Sequence, residues 1–407
     1  MPQISAPELL RFASVPGAKQ LALLASLDAV ARAVLLSVFP VLLYRALENA
    51  EAVSSVYFLI GFVALVGGLL TPWLTRLATR RWVFTFGTSL YLASAGFGVL
   101  ENQASLELAL LCYSLAAVIV FVCLNAYILD FIVRAELGRV ETLRMFYSAL
   151  AWSIGPAIGV WLMKWWPPAP FILSGVAAVI LLSTFWWMRL GNGKFIKRSG
   201  QPAPNSFRYL RRFLGQRRLV AGWLFAVLKS AAWWVYIIYL PIYAVKNGLG
   251  EELGGIALSL SNGLLFATPL MLRWMQRHSV RRAVRTGFMA SAFAFAIAAG
   301  LADHPWLAVV SLFVGSIFLI LLDISAGLPF LMAVKPSERI EMSAIYSNYS
   351  NFSAIVTPGI AWLVLIAVPL PGIFAAAAIW LILAWAVADG VHPRLGRPRA
   401  AVIVKET

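Results

Sequence analysis

The stretch "SLDAVARAVLLSVFP", residues 26–40, lies inside an apolar run from Gln20 to Tyr44 and carries Asp28 and Arg32 near its middle. As a helix that run is about 37 Å long, enough to cross the roughly 30 Å hydrocarbon core of a bilayer. Each charge at the centre of such a helix costs roughly 2.5 to 3.5 kcal/mol on an insertion scale, so a partner or a function must offset it. Asp28 and Arg32 are four residues apart and share one helical face, with the acid N-terminal, which is the favourable order for a helical pair.

The rest of the chain repeats the membrane signal. Of 407 residues, 61% are hydrophobic and only 12% charged, and the mean hydropathy is +0.83. That leaves too little polar surface to wrap a water-soluble globule. Twelve apolar stretches follow one another: 20–44, 52–75, 82–100, 108–129, 145–163, 165–188, 219–245, 253–272, 286–302, 305–334, 342–368 and 370–388. Charges fall only in the first, seventh and tenth, as Asp28, Arg32, Lys229 and Asp323. Strand-like alternation is missing, so helices rather than a closed barrel must satisfy the backbone in lipid. The expected fold is an all-α membrane protein of twelve transmembrane helices.

The net charge of +16 is placed on one side. With loops assigned alternately to two sides, 28 of 33 Lys and Arg share the side of both termini, while Arg45, Lys164 and Lys246 lie opposite. The positive-inside rule makes the termini cytoplasmic, in a plasma or bacterial inner membrane. The same placement argues for contact with lipid headgroups and against nucleic acid. Residues 189–218 hold nine basic residues and no acid. This connection divides the chain into an N-terminal half (1–188), a basic linker (189–218), a C-terminal half (219–391) and a tail (392–407). The first run is read as a retained anchor rather than a cleaved signal. Cys112 and Cys123 are eleven residues apart on one helix, too far for a disulfide. His278, His304 and His392 are scattered over three loops, and no nucleophile, metal set or paired acid site stands out. Neither an enzyme nor a cofactor is expected.

The halves repeat. At an offset of 201, "TRLATRR" (75–81) matches "QRHSVRR" (276–282), Pro40 matches Pro241 and Asp28 falls on Lys229; Arg139 and Glu141 match Arg339 and Glu341 at 200, and Pro156 matches Pro358 at 202. Five matches in one order point to duplication, an arrangement that places a solute site at the repeat interface near the bilayer midplane.

Over all twelve stretches the chain resembles the major facilitator superfamily. "PWLTRLATRR" is similar to the family loop G-x-x-x-D-R-x-G-R-R, keeping Arg76, Arg80 and Arg81, with Thr75 near the position of the Asp. "GPAIGV" is similar to the G-P-x-x-G-G of its drug:proton antiporters, keeping Gly155, Pro156 and Gly159 as a helix-bend motif. The Arg usual in the fourth span of those exporters is missing; "VCLNAYILD" offers Asn125 and Asp130. The resemblance implies two pseudo-symmetric six-helix halves working by alternating access.

On this reading the proton-coupling residues are Asp28, Asp323 and Asp130. The solute would contact Arg32, Lys229, Trp233, Tyr236, Asn262, Tyr346, Ser350, Ser353 and Asn125, with Asp28 and Lys229 facing each other across one cavity. The sign-alternating segments "RAELGRVETLR" and "KPSERIE" supply gating residues Glu136, Arg139, Glu141, Glu338, Arg339 and Glu341. Arg76, Arg80, Arg81, Arg277, Arg281 and Arg282 would join that gate. The four embedded charges sum to zero, which suits a zwitterionic or amphiphilic solute. The expected function is secondary transport by a monomer, as proton-coupled export; the alternative is proton symport of an organic anion or metabolite. A lipid-processing or receptor-like protein is the alternative of another class.

Overall fold

The computed structural model describes residues 18–131, 137–188, 211–334, 342 and 345–390, with side chains for all of these except 18, 76, 129–131 and 137–142. Among them there is no strand. In chain order the helices are α1 (Ala18–Ala33), α2 (Val38–Leu47), α3 (Ala50–Leu77), α4 (Arg80–Gly98), α5 (Gln103–Phe131), α6 (Leu137–Trp165) and α7 (Ala169–Trp187). Then come α8 (Arg217–Lys246), α9 (Glu252–Gly263), α10 (Thr268–His278), α11 (Val280–Gly300), α12 (Pro305–Ser325), α13 (Leu328–Ala333), α14 (Tyr349–Ala367) and α15 (Pro371–Val387). Among the described residues, eleven continuous or bent segments are long and apolar enough to cross a membrane. The third apolar stretch forms α4, a helix of 19 residues that begins with Arg80 and Arg81.

Helix boundaries follow local chemistry. The Asn49 carboxamide oxygen accepts the Glu51 N–H, and the Ser279 hydroxyl accepts the Arg282 N–H, satisfying donors that a helix start leaves open. Proline opens α12 and α15, where its missing N–H costs nothing. The first apolar run, expected as one helix, breaks between α1 and α2. Pro40 cannot donate and crowds the carbonyl four residues earlier, so residues 34–37 form a loosened turn with Leu35 N–H to Arg32 C=O at 3.2 Å and Leu36 N–H to Ala33 C=O at 3.3 Å. The eighth and tenth runs bend ahead of Pro269 and Pro329, giving α9/α10 and α12/α13. The segment carrying Arg139, Glu141 and Arg144, expected as a loop, is the start of α6. Its charged residues are helix-compatible, so the helix runs on beyond the apolar stretch that marked it.

The same packing recurs in α1–α7 and α8–α15. α4 lies on α5 and α7 as α11 lies on α12 and α15, and α1 packs on α6 as α8 packs on α14. The two groups meet through α6 with α9, α3 with α14 and α2 with α8. Gly155 and Gly159 explain how α6 sits against the broken first run: a Cβ at Gly155 would lie 2.6 Å from the Ala33 Cβ, and one at Gly159 would lie 1.9 Å from the Val34 carbonyl oxygen. On its other side α6 touches α9. Pro156 disturbs the local hydrogen-bond ladder, and the next N–H, that of Ala157, donates to the Ser259 hydroxyl at 2.8 Å. Outside the bundle, Leu59, Leu69, Trp73, Trp161, Phe293 and Leu363 are among many large apolar side chains left exposed, a surface that only lipid covers.

Candidate functional site

The four embedded charges form two ion pairs, one per half. Arg32 meets Asp28 at 2.8 Å within α1, and Lys229 of α8 meets Asp323 of α12 at 2.8 Å. Each acid takes a second donor: the Tyr91 hydroxyl donates to Asp28 at 2.8 Å, and the Trp233 indole N–H donates to Asp323 at 3.1 Å. Each cation lies over an aromatic ring, Arg32 at 5.3 Å from Trp152 and Lys229 at 5.4 Å from Tyr349. The Tyr113 hydroxyl donates to the Arg32 carbonyl at 3.0 Å, which occupies a carbonyl at the loosened turn. Paired and bonded in this way, charges can stay deep in a membrane protein.

The expected confrontation of Asp28 with Lys229 does not occur. Asp28 is turned into the α1–α7 group with its side chain 3% exposed, and Lys229 is held by Asp323 with 12% exposed. The more accessible members are their partners, Arg32 at 25% and Asp323 at 30%. The reason is local: Asp28 has Arg32 one helical turn away and Tyr91 beside it, so no cross-bundle partner is needed. The accessible pair is therefore a cation from the first half and an anion from the second.

Other expected solute contacts divide. Trp233 belongs to the Asp323 cluster, and Tyr346 stacks on Phe330 with ring centroids 4.2 Å apart. Asn125 accepts from Arg144 at 2.6 Å. The Asn262 amide donates back to the Leu258 carbonyl of its own helix. Tyr236 is fully buried, its hydroxyl bonded to Ser261, and Ser353 is fully buried and donates to Ser230 at 2.6 Å while Ser350 accepts through its carbonyl. Tyr236 and Ser353 hold helices together in this conformation.

Of the expected gate, Glu136, Glu338, Arg339 and Glu341 lie outside the described residues, as do the side chains of Arg76, Asp130, Arg139 and Glu141. Arg80 stacks on Tyr127 and Arg81 on Trp82. Arg281 pairs with Asp389 at 3.2 Å, so these three arginines have partners within their own half. Arg277 closes α10. The described ion pairs and side-chain-to-side-chain hydrogen bonds between the halves lie at the other end of the bundle, away from residues 18 and 390. There Arg45 pairs with Glu251, Lys164 pairs with Glu252, the Trp362 N–H donates to Glu51 at 3.3 Å, and Ser54 bonds Tyr239 at 2.8 Å. The sequence signal for these pairs was present but unused: two of the three cations on the sparsely charged side face two adjacent acids.

A helical bundle of two repeated halves, sheathed in apolar side chains and carrying paired charges at mid-depth, defines an integral membrane transporter rather than an enzyme. The comparison with known sequences makes the class specific: residues 21–265 match the profile of the Major Facilitator Superfamily, and the chain belongs to that family. It is a secondary transporter. No curated protein matches the chain in sequence. Solved structures share its fold: the nucleoside transporter NupG at 12% identity, with 92% of this chain and 99% of that one covered and a TM-score of 0.68. A POT family transporter in complex with 5-aminolevulinic acid is similar at 10% identity, 90% and 94% coverage and TM-score 0.72. The D-xylose-proton symporter is similar at 12% identity, 96% and 99% coverage and TM-score 0.68.

Proposed function

We propose that the protein is a twelve-span, proton-coupled exporter of a zwitterionic or amphiphilic solute, working as a monomer with both termini in the cytoplasm. The observation that carries the solute class is the exposure pattern of the two ion pairs: Arg32 and Asp323 are the accessible members, a cation and an anion on opposite halves. A solute with both charges could engage each of them and loosen the internal pairs, and Trp152 and Trp233 supply apolar ring surface beside them. Because the Arg45–Glu251 and Lys164–Glu252 pairs join the halves at the sparsely basic end, the conformation is read as closed to the outside, with entry from the cytoplasm. Export is favoured by the "GPAIGV" motif, whose glycines and proline place α6 against both α1 and α9.

Asp323 is the proton-linked acid on this account. Protonation would cancel its attraction for Lys229 and let α8 and α12 separate, and a solute ammonium group could substitute for the proton; that mutual exclusion is what antiport needs. Asp28, enclosed by Arg32 and Tyr91, is assigned the supporting role of fixing Arg32. One observation favours a second reading, symport: one structural neighbour is a proton symporter by name, and an accessible arginine also suits a solute carboxylate. Whole-cell uptake and efflux of a panel of amino acids, short peptides, nucleosides, sugars and amphiphilic cations, with and without an uncoupler, tests the reading. Uncoupler-sensitive efflux supports it, and uncoupler-sensitive uptake alone supports symport.

A further inference from the structure

A groove of about 770 Å³ opens on the outer face of the second half, between α11 and α15 at the end of the bundle that holds most of the basic residues. Three arginines line its mouth: Arg281, Arg282 and Arg285. Asp389 answers two of them, Arg281 at 3.2 Å and Arg285 at 2.5 Å, which leaves an excess of two positive charges. The buried Nε of Arg281 has no hydrogen-bond partner, and among the described residues no carboxylate pairs with the exposed Arg282. Farther in, the lining becomes apolar: Met289 and Phe293 are 41% and 67% exposed, and Trp385, on which Arg285 stacks at 4.9 Å, forms the wall from α15.

The order of these residues along α11 sets the shape of the occupant. Arg282, Thr286, Met289 and Phe293 recur at helical spacing on one face, running from charged through polar to apolar. Eleven residues separate Arg282 from Phe293, about 16 Å along a helix, close to one leaflet of a hydrocarbon core roughly 30 Å thick. A free anion would satisfy only the mouth. A molecule with a phosphate at one end and an acyl chain of leaflet length would satisfy all of it.

The repeat provides an internal control. Counted from the helix starts, Arg80 of α4 and Val280 of α11, the first half has Arg81, Trp82 and Thr85 where the second has Arg281, Arg282 and Arg285. There Trp82 and Trp186 pack edge to face, with ring centroids 5.5 Å apart, and the Trp186 N–H donates to Thr85 at 3.2 Å. In the second half Arg282 stands in place of Trp82 and Arg285 in place of Thr85. Where one half carries a pair of packed indoles, the other carries a basic groove.

We propose that this groove binds one anionic glycerophospholipid, its phosphate held by Arg281, Arg282 and Arg285 and one acyl chain lying along Met289, Phe293 and Trp385. The site is independent of the transported solute, and only the assignment to the cytoplasmic leaflet rests on the proposed orientation. Basic pockets at this level of a membrane protein suit anionic headgroups. Native mass spectrometry of the purified full-length protein, titrated with phosphatidylglycerol, phosphatidylcholine or soluble glycerol 3-phosphate, tests it without reference to orientation or transport. Phosphatidylglycerol should be retained in preference to phosphatidylcholine. Arg282→Gln should weaken that retention about fivefold, whereas Arg273→Gln, an exposed cation outside the groove, should not. Thr286→Trp places an indole in the groove that Thr286 lines and should abolish retention with all three arginines in place. Equal retention of the two lipids, or retention indifferent to both groove variants, overturns the proposal; competition by glycerol 3-phosphate as strong as by the lipid overturns it in favour of a free phosphoester site.

Discussion

Asp28→Asn separates a positioning role from a proton-carrying role. The substitution keeps the side-chain shape and an oxygen for the Tyr91 hydroxyl, and removes only the charge facing Arg32. For charges about 4 Å apart at an effective dielectric constant of about 20, the lost attraction is about 4 kcal/mol. Stranding one member of a fully buried pair typically costs about 3–5 kcal/mol. Arg32 is 25% exposed and keeps its place over Trp152, a contact worth about 0.5–2 kcal/mol. The net destabilisation should therefore be about 2–3 kcal/mol, a fall of about 5 °C in the melting temperature of the detergent-purified protein. Adding Arg32→Gln removes the stranded cation, so Asp28→Asn/Arg32→Gln should recover most of that loss, while transport is lost with the Arg32 guanidinium. If Asp28→Asn melts within about 1 °C of the parent, or the double variant is no more stable than the single one, the reasoning fails and Asp28 is not held by Arg32.

The other expectations concern how the halves move and pack. Arg45→Ala with Lys164→Ala removes both cross-half ion pairs at the sparsely basic end. Exposed pairs contribute about 0.2–1 kcal/mol each, so the outward-open population should rise about fivefold, read as labelling of Ser54→Cys, whose site is buried against Tyr239 in the closed state; unchanged labelling would show that the pairs do not gate. Gly159→Ala places a methyl 1.9 Å from the Val34 carbonyl oxygen, so α6 must retreat from the first run. It should cost at least about 2 kcal/mol and abolish transport, and a variant of parental stability would mean that the contact is loose.

Much of the fold was legible because lipid imposes it. Apolar length and charge placement are first-order constraints on a membrane helix, and they located the helices from α1 to α15, although α6 and α11 start eight and six residues before the apolar stretches that marked them. They did not reveal the breaks ahead of Pro269 and Pro329 or the loosened turn ahead of Pro40, since a proline in an apolar run reads equally as a kink or as a smooth bend. Pro241, which pairs with Pro40 in the repeat, lies within the continuous α8. The start of α6 was missed for the opposite reason: hydropathy ends where charges begin, but the helix does not. At the site, all four embedded charges were visible in the sequence because their cost is anomalous. Their pairing was not, since a repeat aligns Asp28 with Lys229 without saying which neighbour each one meets. Tyr91 and Tyr113 complete the first pair, yet a lone tyrosine in an apolar helix carries no distinguishing signal.

Transport by Asp323→Asn in proteoliposomes under an imposed pH gradient, using a solute identified in the efflux panel, tests the central claim most directly. The account predicts that this variant loses gradient-driven transport and retains solute exchange at equilibrium, because Arg32 and the aromatic walls remain while the proton-linked acid is gone. Gradient-driven transport at the parental rate would contradict it and remove Asp323 from the coupling mechanism.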